Sequence, residues 1–257
     1  MPDNKVSTLS RITAILDSFS TDNPVLGVRE VARMANMSSS AAGRLMQAMR
    51  DLNILSQDAT TSLYSMGSRS LVWAGVYSST LDVRNIALPF LHELHHDTME
   101  TISLYLMDGA ERVCIERLES PQNVRIVARI GRRLPLYAGS AGKIFLAFLP
   151  EPRCLEILDK TDLVPLTPKT IVDKESLLRE LETIRKQGYS ASRGEWLLDA
   201  SGVAAPVFDQ TGTVVAAVTI SGPGQRFTTE KIEEYSKMVK RVARQISEEM
   251  GYRGQAI

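Results

Sequence analysis

The sequence predicts an α+β protein built in two parts. Three observations carry that prediction. Three helix-period segments followed by two short β-rich runs fill the chain up to residue 67; a helical stretch follows a Gly-Ser break; and from Glu100 onward strands fall in two groups with helices between and after them. A length of 257 residues leaves room for two domains at about 100–200 residues each.

The first helix is read over Ser7 to Phe19, with Leu9, Ile12, Ile15, Leu16 and Phe19 at helical spacing. Ser20 to Leu26, with Asn23-Pro24, reads as a linker. Val28 to Met34 forms a second helix with Val31 and Met34 inward, and Ala35-Asn36-Met37 supplies a tight turn. The third helix sets Ala42, Leu45, Met46, Met49 and Leu52 on one face. Its other face carries Ser39, Ser40, Gly43, Arg44, Gln47 and Arg50, and any of Ser38, Ser39 or Ser40 can cap its start. Asn53 to Ser56 and Leu63 to Met66 read as the strands of a hairpin. Three helices and such a hairpin compose a winged helix-turn-helix, whose third helix enters a major groove. Free N–H groups at its start attract phosphate, and Arg44 can reach a phosphate or a guanine edge. The candidate contacts to double-stranded operator DNA are therefore Ser38, Ser39, Ser40, Gly43, Arg44, Gln47 and Arg50. The plainer alternative makes the same helices part of an ordinary helical core.

Leu71, Val72, Gly75 and Val76 then predict a helix running to about Thr80, and another spans Asp82 to His95, kinked or restarted at Pro89. Thr101 to Met107, Arg112 to Arg117 and Val124 to Ile130 read as strands, with Asp108-Gly109 as a turn. A loop from Gly131 to Gly142 feeds a helix over Lys143 to Phe148, followed by another over Pro150 to Leu158. Asp173 to Gln187 is amphipathic, with Leu177, Leu178, Leu181 and Ile184 inward and Gly188 as its stop. Tyr189 to Trp196, Val203 to Phe208 and Val214 to Ile220 read as strands, and Thr228 to Glu249 as a long closing helix.

Charge and composition narrow the function. The formal net charge is zero, and over residues 1–78 seven Lys and Arg face six acids, so DNA affinity from one subunit is expected to be modest and salt-dependent. Two cysteines and no apolar stretch of about 18 residues predict a reduced, cytoplasmic protein with no membrane partner. His92, His95 and His96 share a helix, but there is no HExxH, and Cys114 and Cys154 lie far away in sequence. No nucleophile elbow, phosphate loop or dinucleotide fingerprint appears, so neither catalysis nor a cofactor is expected.

Several local motifs, in this order and at these separations, resemble the IclR family of bacterial transcriptional regulators over about Ser7 to Ser247. They are Leu63-Tyr64-Ser65-Met66-Gly67, Glu100-Thr101 with Asp108-Gly109, Leu134-Pro135-Leu136 leading to Ala141-Gly142-Lys143, Thr167-Pro168-Lys169-Thr170-Ile171, Ala204-Ala205-Pro206-Val207 and Ser221-Gly222-Pro223. The resemblance implies a DNA-binding domain over 1–67, a connecting helix over 68–84 and a GAF-like mixed α/β effector domain over 85–257, assembled as a homodimer or dimer of dimers. It also implies a ligand pocket where Gly139, Ser140, Ala141 and Gly142 meet the strands at Gly202 and at Thr219 to Ser221. The residues themselves fit an anion site, through loop N–H groups and the hydroxyls of Ser140, Thr219 and Ser221, while Tyr137 and Trp196 suit an apolar body. The expected ligand is thus an organic acid or aromatic carboxylate. Glu195 is read as an orienting, solvated or salt-bridged acid, and Arg129, Arg132 and Arg133 as a solvated loop or as charges that steer an anion towards the pocket. The chain departs from the family pattern at Gly43, where a larger residue is usual, at Ser38 in place of Pro, at Met99 in place of Gly, and at Gly202 in place of Cys. An alternative reading is a winged-helix module that binds a protein and has no operator.

Overall fold

The computed structural model describes residues 8–20, 22–79, 82–126 and 129–254, which divide into two compact units, Met1–Leu81 and Asp82–Ile257. The expected end of the connecting helix at Thr80 lies outside the described residues.

In the first unit α1 (Thr8–Asp17), α2 (Val28–Met34) and α3 (Ser39–Asp51) surround a core of Ile15, Val31, Ala32, Ala42, Met46 and Met49. The Glu30 carboxylate accepts from the Gly27 N–H at 2.8 Å and fixes the start of α2. Of the three candidate serines, Ser38 caps α3, its hydroxyl accepting from Ala41 N–H at 3.3 Å. Two expected core residues face solvent instead. Met34 ends α2 where Asn36 turns the chain with φ 52°, and Leu52 has already left the helical path as the C-cap of α3.

The linker also contains a strand. β1 (Val25–Leu26) pairs antiparallel with β3 (Tyr64–Met66), which pairs with β2 (Leu55–Gln57), so the hairpin becomes a three-stranded sheet in the order β1-β3-β2. A two-residue strand has no alternation of its own; Leu26 is held by the core and by its ladder to Tyr64. At the wing tip Asp58 accepts from Thr60 N–H and Thr61 N–H at 2.9 and 2.7 Å, which holds its carboxyl below the usual range. Helix α4 (Arg69–Ser79) follows.

The second unit begins with α5 (Asp82–Thr98), one continuous helix through Pro89, so the restart expected there does not occur. A six-stranded antiparallel sheet in the order β6-β5-β4-β9-β8-β7 follows, from β4 (Thr101–Asp108), β5 (Glu111–Leu118), β6 (Arg133–Pro135), β7 (Ser190–Arg193), β8 (Ala200–Phe208) and β9 (Val214–Pro223). Helices α6 (Ser140–Phe148), α7 (Glu151–Asp159) and α8 (Lys174–Gln187) pack on one face around Phe145, Leu146, Leu181 and Ile184, and α5 with α9 (Thr229–Glu249) packs on the other. Helix α8 starts at the Asp173 cap and stops at Gly188 with φ 75°.

Two strand expectations change here. Among the described residues of 124–130 there is no strand. The free edge of β5 is taken by the segment beyond, through Gly131 N–H to Cys114 O at 2.7 Å and Cys114 N–H to Arg132 O at 3.1 Å, and Arg133–Pro135 forms β6 in what had read as loop. The strand expected over Tyr189 to Trp196 stops at Arg193, because Gly194 turns the chain with φ 73° and Thr170 Oγ1 donates to Glu195 O at 2.6 Å. No described helix is long and apolar enough to cross a membrane.

Candidate functional site

Two surfaces carry the chemistry, one in each unit. On α3, Ser39, Ser40, Arg44 and Gln47 are exposed while Ala42, Met46 and Met49 are buried on the opposite side. Ser38 is also exposed but spends its hydroxyl on the cap. Arg50 is turned toward the wing: its Nη2 donates to Asp51 at 2.8 Å and its Nη1 to Gln57 Oε1 at 3.1 Å. Gly43, read from sequence as part of the outward face, looks the other way. A Cβ placed there would sit 3.4 Å from Val28 Cγ1 of α2, so this half-buried position faces α2. The wing between Asn53 and Gly67 carries no Lys or Arg, and only its hydroxyls and backbone can meet a phosphate.

The second surface is a cavity of about 30 Å³ in the C-terminal unit. Of the residues expected there, Ser140, Ala141, Trp196, Gly202, Thr219 and Ser221 line it. Tyr137, Gly139 and Gly142 do not. Tyr137 lies in the core, its hydroxyl donating to Val164 O at 3.0 Å. Gly142 lies against Leu136 O, 2.3 Å from where a Cβ would sit, which only a glycine tolerates. At Gly202 an added Cβ would lie 3.1 Å from Ser140 Oγ and 3.3 Å from Ile220 O, so the glycine lets β8 and α6 approach closely here.

The N–H groups at the start of α6 are less open to a ligand than the loop composition predicts. Gly139 N–H donates to Glu195 Oε2 at 2.9 Å and Ser140 N–H to Ser192 Oγ at 3.1 Å. Glu195 therefore has a definite task. It is buried, it holds this turn, and its second oxygen accepts from the fully buried Lys143 ammonium at 2.7 Å; Glu180 Oε1 meets the same ammonium at 3.0 Å.

Sequence reasoning missed Tyr105, Arg112, Arg117, Ile126, Ser192, Ala200 and Ser201, all of which line the cavity. The two arginines are its only charged lining residues among those described. They stand five apart on β5, a spacing that puts side chains on opposite faces of a regular strand. The register with β4 steps from Leu104↔Glu116 to Tyr105↔Cys114, so Ile115 is an extra residue and the bulge returns Arg117 to the side of Arg112. Arg112 is buried; its Nη1 donates to Pro135 O and to Ala138 O, the latter at 2.7 Å, and its guanidinium lies 5.6 Å from the Tyr105 ring centre. Arg117 donates to Ser103 Oγ at 3.2 Å and to Ile126 O. Burial pulls the pKa of both guanidinium groups down and pushes the Tyr105 phenol up. At the rim, Arg132 stacks over half-buried Trp196 at 5.0 Å. Arg133 pairs with Glu111 and Asp108 at 2.7 and 2.8 Å, and Arg129 is exposed.

Comparison with known proteins matches both units. The family model for the C-terminal region of the bacterial transcriptional regulator IclR matches residues 75–248, and that for the IclR helix-turn-helix domain matches residues 8–59. The chain is 32% identical over 249 residues to the HTH-type transcriptional regulator KipR of Bacillus subtilis, covering 97% of this chain and 99% of that one. Among solved structures it is similar to the IclR of Thermotoga maritima, with 36% identity, TM-score 0.79 and coverage of 95% and 99% of the two chains. It is also similar to an IclR homolog of Microbacterium hydrocarbonoxydans complexed with 4-hydroxybenzoate, with 28% identity, TM-score 0.84 and the same coverage.

Proposed function

Since the chain belongs to the IclR family of bacterial transcriptional regulators, we propose that it reads an operator through Ser39, Ser40, Arg44 and Gln47 of α3 and releases or tightens it when a small acid fills the cavity between α6, β5, β8 and β9. One observation carries this reading. The cavity is lined by two guanidinium groups and no carboxylate among its described residues, an electrostatic environment that selects an anion. The 4-hydroxybenzoate in the Microbacterium relative is itself a carboxylate, which supports the same class of ligand.

The protein acts as a homodimer or dimer of dimers, because two half-sites need two winged helices. The exposed Leu71, Val72 and Trp73 of α4 support a partner copy over that helix. The acid shifts the population between DNA-competent and incompetent arrangements by binding them with different affinity. No catalytic step is assigned; the family relatives are transcriptional regulators.

The test is fluorescence anisotropy with the intergenic DNA beside the protein's own gene against scrambled DNA, with and without small carboxylates. Sequence-selective binding altered by an acid is expected. Binding no better than to scrambled DNA, at low salt and with every acid, refutes the reading and favours a winged-helix module that binds a protein.

A further inference from the structure

We propose that Arg50 and Gln57 are positioning residues for operator reading: together they fix the wing tip against α3, and Arg50 acts through the wing instead of touching DNA. This rests on α3 being the recognition helix, and it goes further by naming what holds the wing in place beside it.

Arg50 is half-buried on the flank of α3, between the exposed Gln47 and the buried Met46 and Met49. At 3.6 residues per turn that position lies beside the outward face and not on it. Its Nε and Nη2 donate to Asp51 Oδ1 at 3.1 and 2.8 Å, and its Nη1 donates to Gln57 Oε1 at 3.1 Å. Gln57 passes the connection on, its Nε2 donating to Ser62 O at 3.1 Å. An arginine only donates and a carbonyl only accepts, so the Gln57 amide fits this place in one orientation.

The wing tip needs such a tie. Its own hydrogen bonds close it on itself: Asp58 N–H to Leu63 O and Ser62 N–H to Asp58 O, both at 2.9 Å, with the Asp58 carboxylate accepting from Thr60 and Thr61. Those bonds set the shape of the tip and leave its angle to α3 open. β2 ends at Gln57, so no strand ladder carries the tip beyond that residue. The relay from Asp51 through Arg50 and Gln57 to Ser62 O supplies the constraint.

Charge argues against a phosphate contact for Arg50. Asp51 pairs with its guanidinium, the exposed Asp58 stands at the wing tip, and residues 53–67 contain no Lys or Arg. A phosphate approaching here meets an ion pair of near-zero net charge and a further acid. What the tip offers DNA is its backbone and the exposed hydroxyls of Thr60 and Ser62. A long cationic side chain can reach across a misplaced gap, and a hydroxyl cannot. Placement of the tip therefore matters more in this wing than in a basic one.

Fluorescence anisotropy of the full chain on the intergenic duplex beside its own gene, over a series of salt concentrations, tests this together with hydroxyl-radical footprinting of the same duplex. Gln57→Leu removes no charge, yet it is expected to weaken selective binding about three- to tenfold, the range for one or two partly exposed hydrogen bonds. Arg50→Met is expected to match it at the wild-type salt slope. The double variant should bind no more weakly than the weaker single one, because both changes break one relay. Each variant should lose protection of the sugars beside each half-site and keep it around the major-groove contacts. Gln57→Leu with wild-type affinity and footprint overturns the relay, whether or not its melting temperature falls. A salt slope smaller by about one per subunit in Arg50→Met overturns it as well and makes Arg50 a phosphate contact. No selective binding by the wild-type protein removes the operator reading itself, and the positioning role with it.

Discussion

Replacing Lys143 by Met probes the buried charge cluster that positions the turn before α6. The ammonium is fully buried and meets Glu195 at 2.7 Å, Glu180 at 3.0 Å and Ala191 O at 3.3 Å. Glu180 is about one-third exposed, so water screens it and it adds little to the loss. Glu195 is not so protected. Its side chain is 9% exposed, and without the ammonium it becomes a buried carboxylate with Gly139 N–H as its remaining hydrogen-bond donor and the Arg112 guanidinium as its remaining positive charge. Breaking a buried pair in this way costs about 3–5 kcal/mol. Neutralising the orphan returns part of that: Glu195→Gln keeps an acceptor for Gly139 N–H, and the double variant Lys143→Met/Glu195→Gln is expected to recover about 1–3 kcal/mol, the coupling range of neighbouring groups. Urea denaturation of the wild type, the two single variants and the double variant, followed by circular dichroism, closes the cycle. A cost below about 1 kcal/mol for Lys143→Met, or a double variant no more stable than Lys143→Met, refutes the argument that the pair is buried and mutually dependent.

Four further outcomes follow from the same structure. Met99 sits just past the end of α5 with φ 54°, its N–H donating to His95 O at 2.8 Å, so Met99→Gly relieves a left-handed residue and should raise stability by about 0.5–1 kcal/mol in a thermal melt. Gly43→Ala should stabilise the first unit by about 0.5–1 kcal/mol with operator affinity unchanged in anisotropy, because the new methyl meets Val28 rather than DNA; a loss of DNA binding would contradict that orientation. Arg44→Ala should weaken specific operator binding by about 1–3 kcal/mol if the side chain reads a base, and lower affinity uniformly across sequences if it meets a phosphate. Burial pushes the Cys114 thiol up to about 11, so the folded protein keeps a proton that the unfolded chain loses from near pH 9. Stability from this group is therefore intact below pH 9 and declines as pH rises toward 11, and native Cys114 should resist alkylation at pH 8 until urea is added.

Local chemistry was legible wherever periodicity and capping act within one element. The α3 face with Ala42, Met46 and Met49, the helix starts at Asp173 and Thr228, the Gly188 stop and the turn at Asp108-Gly109 all follow from neighbours a few residues apart. The motif order likewise sufficed for the family, and with it for a winged helix joined to a mixed α/β domain. Ser140, Gly202, Thr219 and Ser221 were found by resemblance, and the structure brings them to one cavity.

What tertiary structure decided lies where distant segments compete for the same groups. The edge of β5 could take either 124–130 or the segment after Gly131, and only the assembled sheet awards it to Arg133–Pro135. Glu195 could be an orienting, a solvated or a salt-bridged acid, and only Lys143, 52 residues earlier and folded against it, excludes the solvated one. The N–H groups of Gly139 and Ser140 looked available until Glu195 and Ser192 arrived to accept from them. Arg112 and Arg117 were hidden most completely, because the single extra residue at Ile115 reverses the side-chain parity of β5. A bulge leaves no periodic mark in sequence, yet here it is the reason that two guanidinium groups line one small cavity.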